Sequence, residues 1–311
     1  MITPLSEHQS SSATRSVRIP MDGPASPLSA VAPQFNGASK AKRKKVFKHA
    51  LALCLLGLTF VPQPAAAQST QELAKELANP IANLVSVPFQ YNYSGGFGEG
   101  DGEQNVINIQ PVIPFSISED WNVISRTILP VVDQGGFTDD HVSQTGFGNT
   151  LQNFFFSPKE PTKGGLVWGV GPVLQIPTAT DGIAPNQWGA GITGIALKQN
   201  KGWTVGVLAN HVWSISGNDK FGETSVSFLQ PIVGYATKNG TSFTLNTESA
   251  YDWETEQASV PINFTVGQLV QIGGRPVQLT GGVRYWADGP DAGPDGWGAR
   301  LVVTYLFPKK G

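Results

Sequence analysis

The C-terminal segment over residues 297–307 reads W-G-A-R-L-V-V-T-Y-L-F and alternates between two kinds of side chain. Every second residue from Trp297 is apolar or aromatic, while the intervening positions include Arg300 and Thr304. A period of two is typical of a β-strand with two different faces. Because one face is wholly apolar, it must be hidden from water. It lies either in the core of a soluble β-sandwich or against lipid on the outside of a membrane barrel.

Segments of the same kind recur from residue 84 onward. Glycine and proline are abundant, with 36 and 23 residues, and only 14% of the residues are charged. This composition favours an all-β protein with many turns over a helix-rich enzyme. We predict about twelve strands, over residues 84–93, 104–117, 121–132, 144–156, 165–177, 188–198, 202–214, 224–237, 241–251, 258–272, 276–286 and 297–307.

The connections between these strands differ in length and in charge. Short connections, such as residues 118–120 and 273–275, alternate with mostly longer ones, such as residues 133–143 and 287–296. Most acidic residues lie in the longer connections, and most basic residues lie in the short ones and the C-terminal tail. An up-and-down antiparallel barrel with short periplasmic turns and long outer loops explains this alternation, whereas a Greek-key sandwich does not. An even number of strands lets the last pair with the first, which leaves no open edge.

Two residue types add predictions about the barrel wall. All eight tryptophans fall at or near the ends of predicted strands, which is typical of aromatic girdles at the membrane interfaces. Five prolines fall inside predicted strands and cannot donate to the ladder, so we expect them near bulges or strand ends. The tryptophans are Trp121, Trp168, Trp188, Trp203, Trp213, Trp253, Trp286 and Trp297, and the prolines are Pro111, Pro130, Pro172, Pro231 and Pro261.

The N-terminal region predicts export. Residues 1–39 are rich in Ser, Ala and Pro without periodicity, so we predict a disordered extension, for which a misassigned start codon is an alternative explanation. A basic cluster, an apolar run and three alanines predict a signal peptide over residues 40–67. Residues 68–83 include a short amphipathic helix that lies either in the periplasm or as a plug inside the barrel. The predicted outer-membrane β-barrel then spans residues 84–308.

Removal of the signal changes the charge and the cysteine content. Eight of the 21 basic residues and two of the 23 acidic residues lie before Gln68. The mature chain therefore has 13 basic and 21 acidic residues and a net charge of −8. This balance predicts no nucleic-acid partner. The lone cysteine, Cys54, lies in the signal peptide, so the mature chain has no disulfide and no thiolate metal site.

Few ionisable residues lie within the predicted strands. By alternation, Glu248, Arg284 and Arg300 share faces with polar residues and should point into the lumen, while the direction of Arg126 stays open. These four residues are the lumen-lining candidates. They either set the selectivity of a pore or form a structural ion-pair network that fills a narrow barrel.

We predict no catalytic residues, no metal ligands and no cofactor. A lipid hydrolase would need a Ser–His pair with an orienting group at the lipid-facing rim. The best candidate for such a pair is His211 with Ser214, and only their proximity in sequence supports it. The acidic loops over residues 95–101 and 288–295 are interpreted as solvated loops rather than cation sites.

Several motifs follow one another through the mature chain, including NPIANLVSVPFQ over residues 79–90, IQPVIPF over 109–115 and WGVGPVLQIPT over 168–178. Together they resemble a family of predicted bacterial outer-membrane transporters, the MetA-pathway-of-phenol-degradation-like proteins. The resemblance covers nearly all of the mature chain and is specific only as an ordered set. It implies a β-barrel and transport of small molecules of apolar or aromatic character, and it defines no catalytic residues.

The sequence therefore predicts an all-β fold: a transmembrane up-and-down antiparallel β-barrel of about 12 strands with a short N-terminal helix. The predicted function is a bacterial outer-membrane channel for passive passage or uptake of small molecules. A non-transporting barrel with a structural or surface-adhesive role is the alternative. The expected partners are outer-membrane lipid, lipopolysaccharide, the barrel-assembly machinery and a small-molecule solute.

Overall fold

The computed structural model describes residues 70–98, 100–136, 143–217 and 222–307. The predicted extension, the predicted signal peptide and the tail after Phe307 lie outside these ranges. Within the described ranges, no helix is long and apolar enough to cross a membrane.

The described chain consists of one short helix followed by strands. The helix, α1, spans Thr70–Leu77, carries Glu72 in its first turn and ends just before Asn79 and Pro80. The strands are β1 Val85–Phe97, β2 Gly102–Ile109, β3 Val112–Ser116, β4 Trp121–Gly135, β5 Ser143–Phe147, β6 Thr150–Pro158, β7 Leu166–Ile176, β8 Gln187–Asn200, β9 Trp203–Gly217, β10 Ser225–Ala236, β11 Thr241–Thr247, β12 Ser249–Asp252, β13 Gln257–Ile272, β14 Arg275–Asp288 and β15 Gly296–Phe307.

These strands form a closed antiparallel β-barrel of 12 strands, as predicted. The pairs β2 and β3, β5 and β6, and β11 and β12 are each one barrel strand interrupted by a short break. Every barrel strand pairs with its neighbours in sequence, and β15 pairs with β1 from Phe307 opposite Val85 to Ala299 opposite Tyr93. Closure leaves no strand edge unpaired, which a structure surrounded by lipid requires.

The break between β11 and β12 falls at Glu248 and has a cause in the sequence. Pro231 in β10 and Pro261 in β13 lie in the two strands that flank Glu248, and neither has a backbone N–H to donate. The register is the same on both sides of the break, since Leu229 pairs with Ser249 and Ile232 with Asn246. The ladder is therefore interrupted without an inserted residue.

The other three prolines also lie at irregularities. Pro111 falls in the break between β2 and β3, and Pro172 lies where the pairing of β6 with β7 is interrupted. Pro130 faces the break between β5 and β6, where its carbonyl accepts a hydrogen bond from the Gly148 N–H at 3.0 Å. The prediction that strand prolines lie near bulges or strand ends holds for Pro111, between two strand segments, and for Pro261, beside a register shift. Pro130, Pro172 and Pro231 instead lie within strands, beside interruptions of the neighbouring ladder.

The barrel has two ends, defined here by their connections. The helix end contains α1 and the connections over residues 117–120, 159–165, 201–202, 237–240 and 273–274. The loop end is where β1 is followed by β2, β4 by β5, β7 by β8, β9 by β10, β12 by β13 and β14 by β15. The connections at the loop end are mostly the longer ones, as predicted, but the helix-end segment over 159–165 is longer than the loop-end segment over 253–256. The strands β1 and β4 extend beyond their predicted ends and shorten the connections that follow them.

The outer surface of the barrel is an apolar band between two aromatic girdles. On β15, Trp297 and Leu301 are exposed and Arg300 is buried, so the apolar face points outward. On β9, Trp203 and Trp213 are ten residues apart, which at about 3.3 Å per residue and a tilt of about 40° corresponds to roughly 25 Å along the barrel axis. This height matches the hydrocarbon thickness that a transmembrane barrel spans.

Trp286 is the exception to the predicted girdles. It is only 5% exposed and lies inside the barrel, where its indole N–H donates to Ser94 Oγ at 3.2 Å. Tyr285 takes the outward position and contacts Trp297, with 5.0 Å between ring centroids. The prediction that all eight tryptophans lie in the girdles is therefore wrong for Trp286, which shares the inward parity of Arg284.

Candidate functional site: the barrel lumen

The inward face of the barrel is rich in carboxamide side chains toward the loop end. Gln104 donates to Gln134 at 2.8 Å, and Asn263 donates to Asn246 at 2.9 Å. Carboxamides both donate and accept, so neighbouring strands can satisfy one another without water. The buried inward-facing members are Asn92, Gln104, Gln110, Gln134, Asn149, Asn153, Gln175, Gln187, Gln230 and Asn263.

A charged cluster lies among these amides. Glu248 Oε2 accepts hydrogen bonds from Arg300 at 2.6 Å and from Arg284 at 2.9 Å, and Glu248 Oε1 accepts one from Arg300 at 2.8 Å. The Arg300 Nε–H also donates to Asn92 Oδ1 at 2.7 Å. Arg300 thus binds the Glu248 carboxylate through both terminal nitrogens. This bidentate geometry is the one in which an arginine–carboxylate pair is strongest. Three of the four lumen-lining candidates are brought together here.

Arg284 is held by more than its ion pair. Its guanidinium carbon lies 4.8 Å from the centroid of the Trp286 ring, which is within the range of a cation–π contact. Its side chain is 10% exposed, and the Nε–H has no hydrogen-bond partner among the described residues. A buried guanidinium donor without an acceptor is costly.

Arg126, the fourth candidate, also points into the lumen, which answers the question that alternation left open. Its NH2 group donates to Gln110 Oε1 at 3.0 Å rather than to a carboxylate. Ile124, which shares its parity, is buried on the same inward face. The inward face of β4 is therefore mixed along its length, with the polar residues Asn122, Arg126 and Gln134 interspersed among apolar ones.

An apolar layer fills the lumen near the helix end, and the sequence reasoning missed it. Ile81, from the segment between α1 and β1, packs inside the barrel against inward-facing residues. Alternation conceals these residues because both faces of the strands are apolar there, as in F-F-F over residues 154–156, of which only Phe155 points inward. Continuous apolar runs were the available signal. The layer consists of Ile81, Val112, Ile124, Phe155, Ile195, Leu197 and Leu208.

Helix α1 lies at the helix end of the barrel and contacts its inner wall. Leu73 packs with the inward-facing residues Leu269 and Leu306. Gln71 Nε2 donates to the Ala236 carbonyl at 3.2 Å, and Gln199 Nε2 donates to the Lys75 carbonyl at 2.7 Å. Apolar burial and hydrogen bonds from two sides hold α1 across this opening.

Two cavities lie on opposite sides of one polar contact. The loop-end cavity, of about 150 Å³, includes Glu248 and Arg284 in its lining, and the helix-end cavity, of about 160 Å³, lies beside Leu77 and Pro80. Both Arg126 and Gln110 line both cavities. The Arg126–Gln110 hydrogen bond therefore lies between the two spaces.

The connection over residues 177–186 folds over the loop-end cavity. Ala179, Ile183 and Ala184 are buried with Val132 of β4, and Ile183 and Ala184 line the cavity. Asn149 Nδ2 donates to the Pro185 carbonyl at 2.5 Å. This inward fold was not predicted, although Ile183 and Ala184 are unusual in a solvated loop.

His211 lies on the outer face of β9, beside Trp213. Its Nδ1 is 2.8 Å from Ser227 Oγ and its Nε2 is 3.4 Å from Ser225 Oγ, so the serine near it in sequence, Ser214, is not its partner. Ser214 Oγ instead accepts from the Thr224 N–H at 2.9 Å. Both recorded partners of the ring are hydroxyls. In the part of the chain that the structure describes, no group of three or more His, Cys, Asp or Glu side chains is placed to hold a metal ion.

Comparison with known proteins supports the fold. No family model and no curated protein sequence matches this chain. An outer membrane channel from Pseudomonas putida F1 is similar over 79% of this chain and 100% of its own, with a TM-score of 0.57 and 14% identity. The outer membrane phospholipase A of Escherichia coli covers the same shares with a TM-score of 0.42 and 10% identity. At 14% identity the likeness to the channel shows a common barrel architecture and not a common activity.

Proposed function

We propose that the protein is a bacterial outer-membrane channel for the passive passage of small molecules. The observation that carries this proposal is the pair of cavities inside the barrel that meet at Arg126 and Gln110. Protein interiors are close-packed, with few voids larger than a water molecule. A barrel that served only as an anchor could fill this space with side chains, as its apolar layer already does at the helix end.

The proposed orientation has the helix end in the periplasm and the loop end outside the cell. Short periplasmic turns and longer outer loops are usual in outer-membrane barrels. The basic residues Lys159, Lys163, Lys201 and Lys238 lie at the helix end, whereas the described residues Asp252, Glu254 and Asp295 lie at the loop end. In this orientation the apolar band contacts outer-membrane lipid, and the loop end faces lipopolysaccharide. The barrel-assembly machinery is the proposed insertion partner.

In the conformation described here, the apolar layer and α1 close the pathway at the helix end. A solute that reaches the loop-end cavity must pass Arg126 and then the segment that contains Ile81. We propose that this segment moves when solute passes. The size of the cavities limits the solutes to small molecules.

A lipid hydrolase is not favoured by the geometry around His211. A serine nucleophile needs a histidine base whose second nitrogen is oriented by a carboxylate or amide acceptor. The two recorded partners of His211 are the hydroxyls of Ser227 and Ser225. Trp253 also donates to Ser227 Oγ at 2.9 Å, which occupies an acceptor site on the oxygen that would have to attack.

The experiment that tests the channel is solute flux into liposomes that contain the refolded mature protein. Gln71→Cys together with Ala236→Cys allows a short thiol-specific crosslinker to fix α1, because these two residues share a hydrogen bond in a chain without other mature cysteines. We expect small polar solutes to enter liposomes that contain the protein. In the double-cysteine variant, the flux should be lost when the two cysteines are crosslinked and should return when the crosslinker is cleaved. No flux in either the intact protein or a variant lacking residues 68–80 would refute transport. A structural or surface-adhesive role would then be the better account.

A further inference from the structure

The charges around the loop-end cavity do not balance. Arg126, Arg284 and Arg300 bring three guanidinium groups to this part of the lumen, and Glu248 is the one carboxylate among the described residues that line the cavity. Guanidinium groups stay protonated at any physiological pH. The site therefore carries two more positive than negative charges, and two of its three arginines, Arg284 and Arg300, are buried.

The donors of the three arginines are unequally used. Arg300 directs Nε and both terminal nitrogens at Asn92 and Glu248, so each of its three nitrogens has a protein partner. Arg284 uses NH2 for Glu248, and its buried Nε–H has no partner among the described residues. Arg126 has one recorded hydrogen bond, to the neutral Gln110. Donor capacity and excess charge therefore coincide at Arg126 and Arg284, the two arginines that line the cavity.

The rest of the cavity wall is partly apolar. Ile128, Val132, Leu151, Leu208 and Phe228 line the same space as the two arginines. A cavity of about 150 Å³ is comparable with engineered apolar cavities that admit a benzene molecule. A ligand that fits has one anionic group for the arginines and a short apolar body.

We propose that the loop-end cavity is a binding site for a small monocarboxylate, held through its carboxylate by Arg126 and Arg284. The proposal deepens the channel function and rests on it for the role of the anion as a transported solute. Carboxylates match the forked donors of arginine better than spherical anions do. Arg126 lines both cavities and is therefore placed to remain in contact with the anion as it moves from one to the other.

The test is equilibrium binding of butyrate to the refolded mature protein in lipid nanodiscs, measured by saturation-transfer NMR. Butyramide, a neutral molecule of nearly the same shape, is the matched ligand. We expect butyrate to bind, butyramide to compete poorly, and Arg126→Gln or Arg284→Gln to weaken butyrate binding at least about tenfold, the effect of one charge-assisted hydrogen bond. Arg275→Gln, at the helix end outside the cavity lining, removes one positive charge and should leave binding unchanged.

The outcomes separate this site from the channel itself. Equal binding of butyrate and butyramide, or unchanged butyrate affinity in Arg126→Gln, overturns the site even if the liposomes show solute flux. Butyrate binding without any flux supports the site and refutes the channel. If Arg284→Gln fails to fold because Glu248 loses a partner, Arg126→Gln decides, since Arg126 bonds to Gln110 and its removal leaves the Glu248 hydrogen bonds in place.

Discussion

Replacement of Glu248 is expected to be among the most destabilising single changes in the barrel. Its two carboxylate oxygens accept three hydrogen bonds, at 2.6, 2.8 and 2.9 Å, from Arg300 and Arg284. Glu248→Ala leaves both guanidinium groups buried without a counter-charge. Removal of one partner from a buried ion pair typically costs about 3–5 kcal/mol, because the remaining charge is left uncompensated. At about 1.4 kcal/mol per factor of ten, this corresponds to a loss of roughly 100-fold to 1,000-fold or more in the folding equilibrium constant.

The assay is reversible urea unfolding in detergent or lipid, followed by tryptophan fluorescence and by the shift in gel mobility between folded and heated barrels. Glu248→Gln keeps the shape and one acceptor, so we expect a loss between zero and that of Glu248→Ala. Combining Glu248→Gln with Arg284→Gln should recover part of the loss, since one uncompensated charge is then removed. A loss below about 1 kcal/mol in Glu248→Ala, with no coupling to Arg284→Gln, would show that lumen water rather than Glu248 compensates the arginines.

Three further changes test other parts of the structure. Ile81→Ser places a hydroxyl in the apolar layer and should cost about 2–5 kcal/mol while it raises solute flux, whereas unchanged flux would mean that Ile81 does not limit passage. In single-tryptophan variants, lipids brominated on their acyl chains should quench Trp297, which is 67% exposed, and should not quench Trp286; quenching of Trp286 would contradict its inward placement. Leu301→Arg, on the outward face of β15, should cost about 2–4 kcal/mol in urea titrations in lipid, and a neutral effect would argue against a lipid-facing surface.

Much of the barrel wall could be predicted because a strand in a barrel has a strict period of two. Arg300 and Glu248 are inward for the same reason that Trp297 is outward, and no knowledge of distant contacts is needed. Even the prolines are informative, since a residue without an N–H marks where the ladder is interrupted. Trp286 differs from the other tryptophans because its parity with Arg284 turns it inward, and proximity to a strand end does not distinguish an inward from an outward tryptophan.

The contents of the lumen could not be read in the same way. Alternation distinguishes two faces only where they differ, and near the helix end residues such as Phe155 and Phe156 are alike on both. The position of α1 at the end of the barrel depends on contacts with residues that are distant in sequence, including Gln199 and Leu306. The local sequence pattern therefore does not predict it. The ion pairs of Glu248 join three separate barrel strands. They follow from the curvature of the wall, which brings the break between β11 and β12 close to β14 and β15 across the lumen.

The position of Ile81 has a consequence for how the protein is assembled. The residue precedes β1 by only a few positions, yet it lies inside a cylinder whose last seam is made by β1 and β15. The N-terminal segment must therefore lie inside the barrel before β1 pairs with β15, or it must enter afterwards through one end of the closed barrel. Because the segment is continuous with one side of the seam, the first route needs no passage of chain through a closed wall. Packing of Ile81 into the lumen and pairing of β1 with β15 would then occur in one step. A chain that lacks the segment around Ile81 would form a barrel whose apolar layer is incomplete.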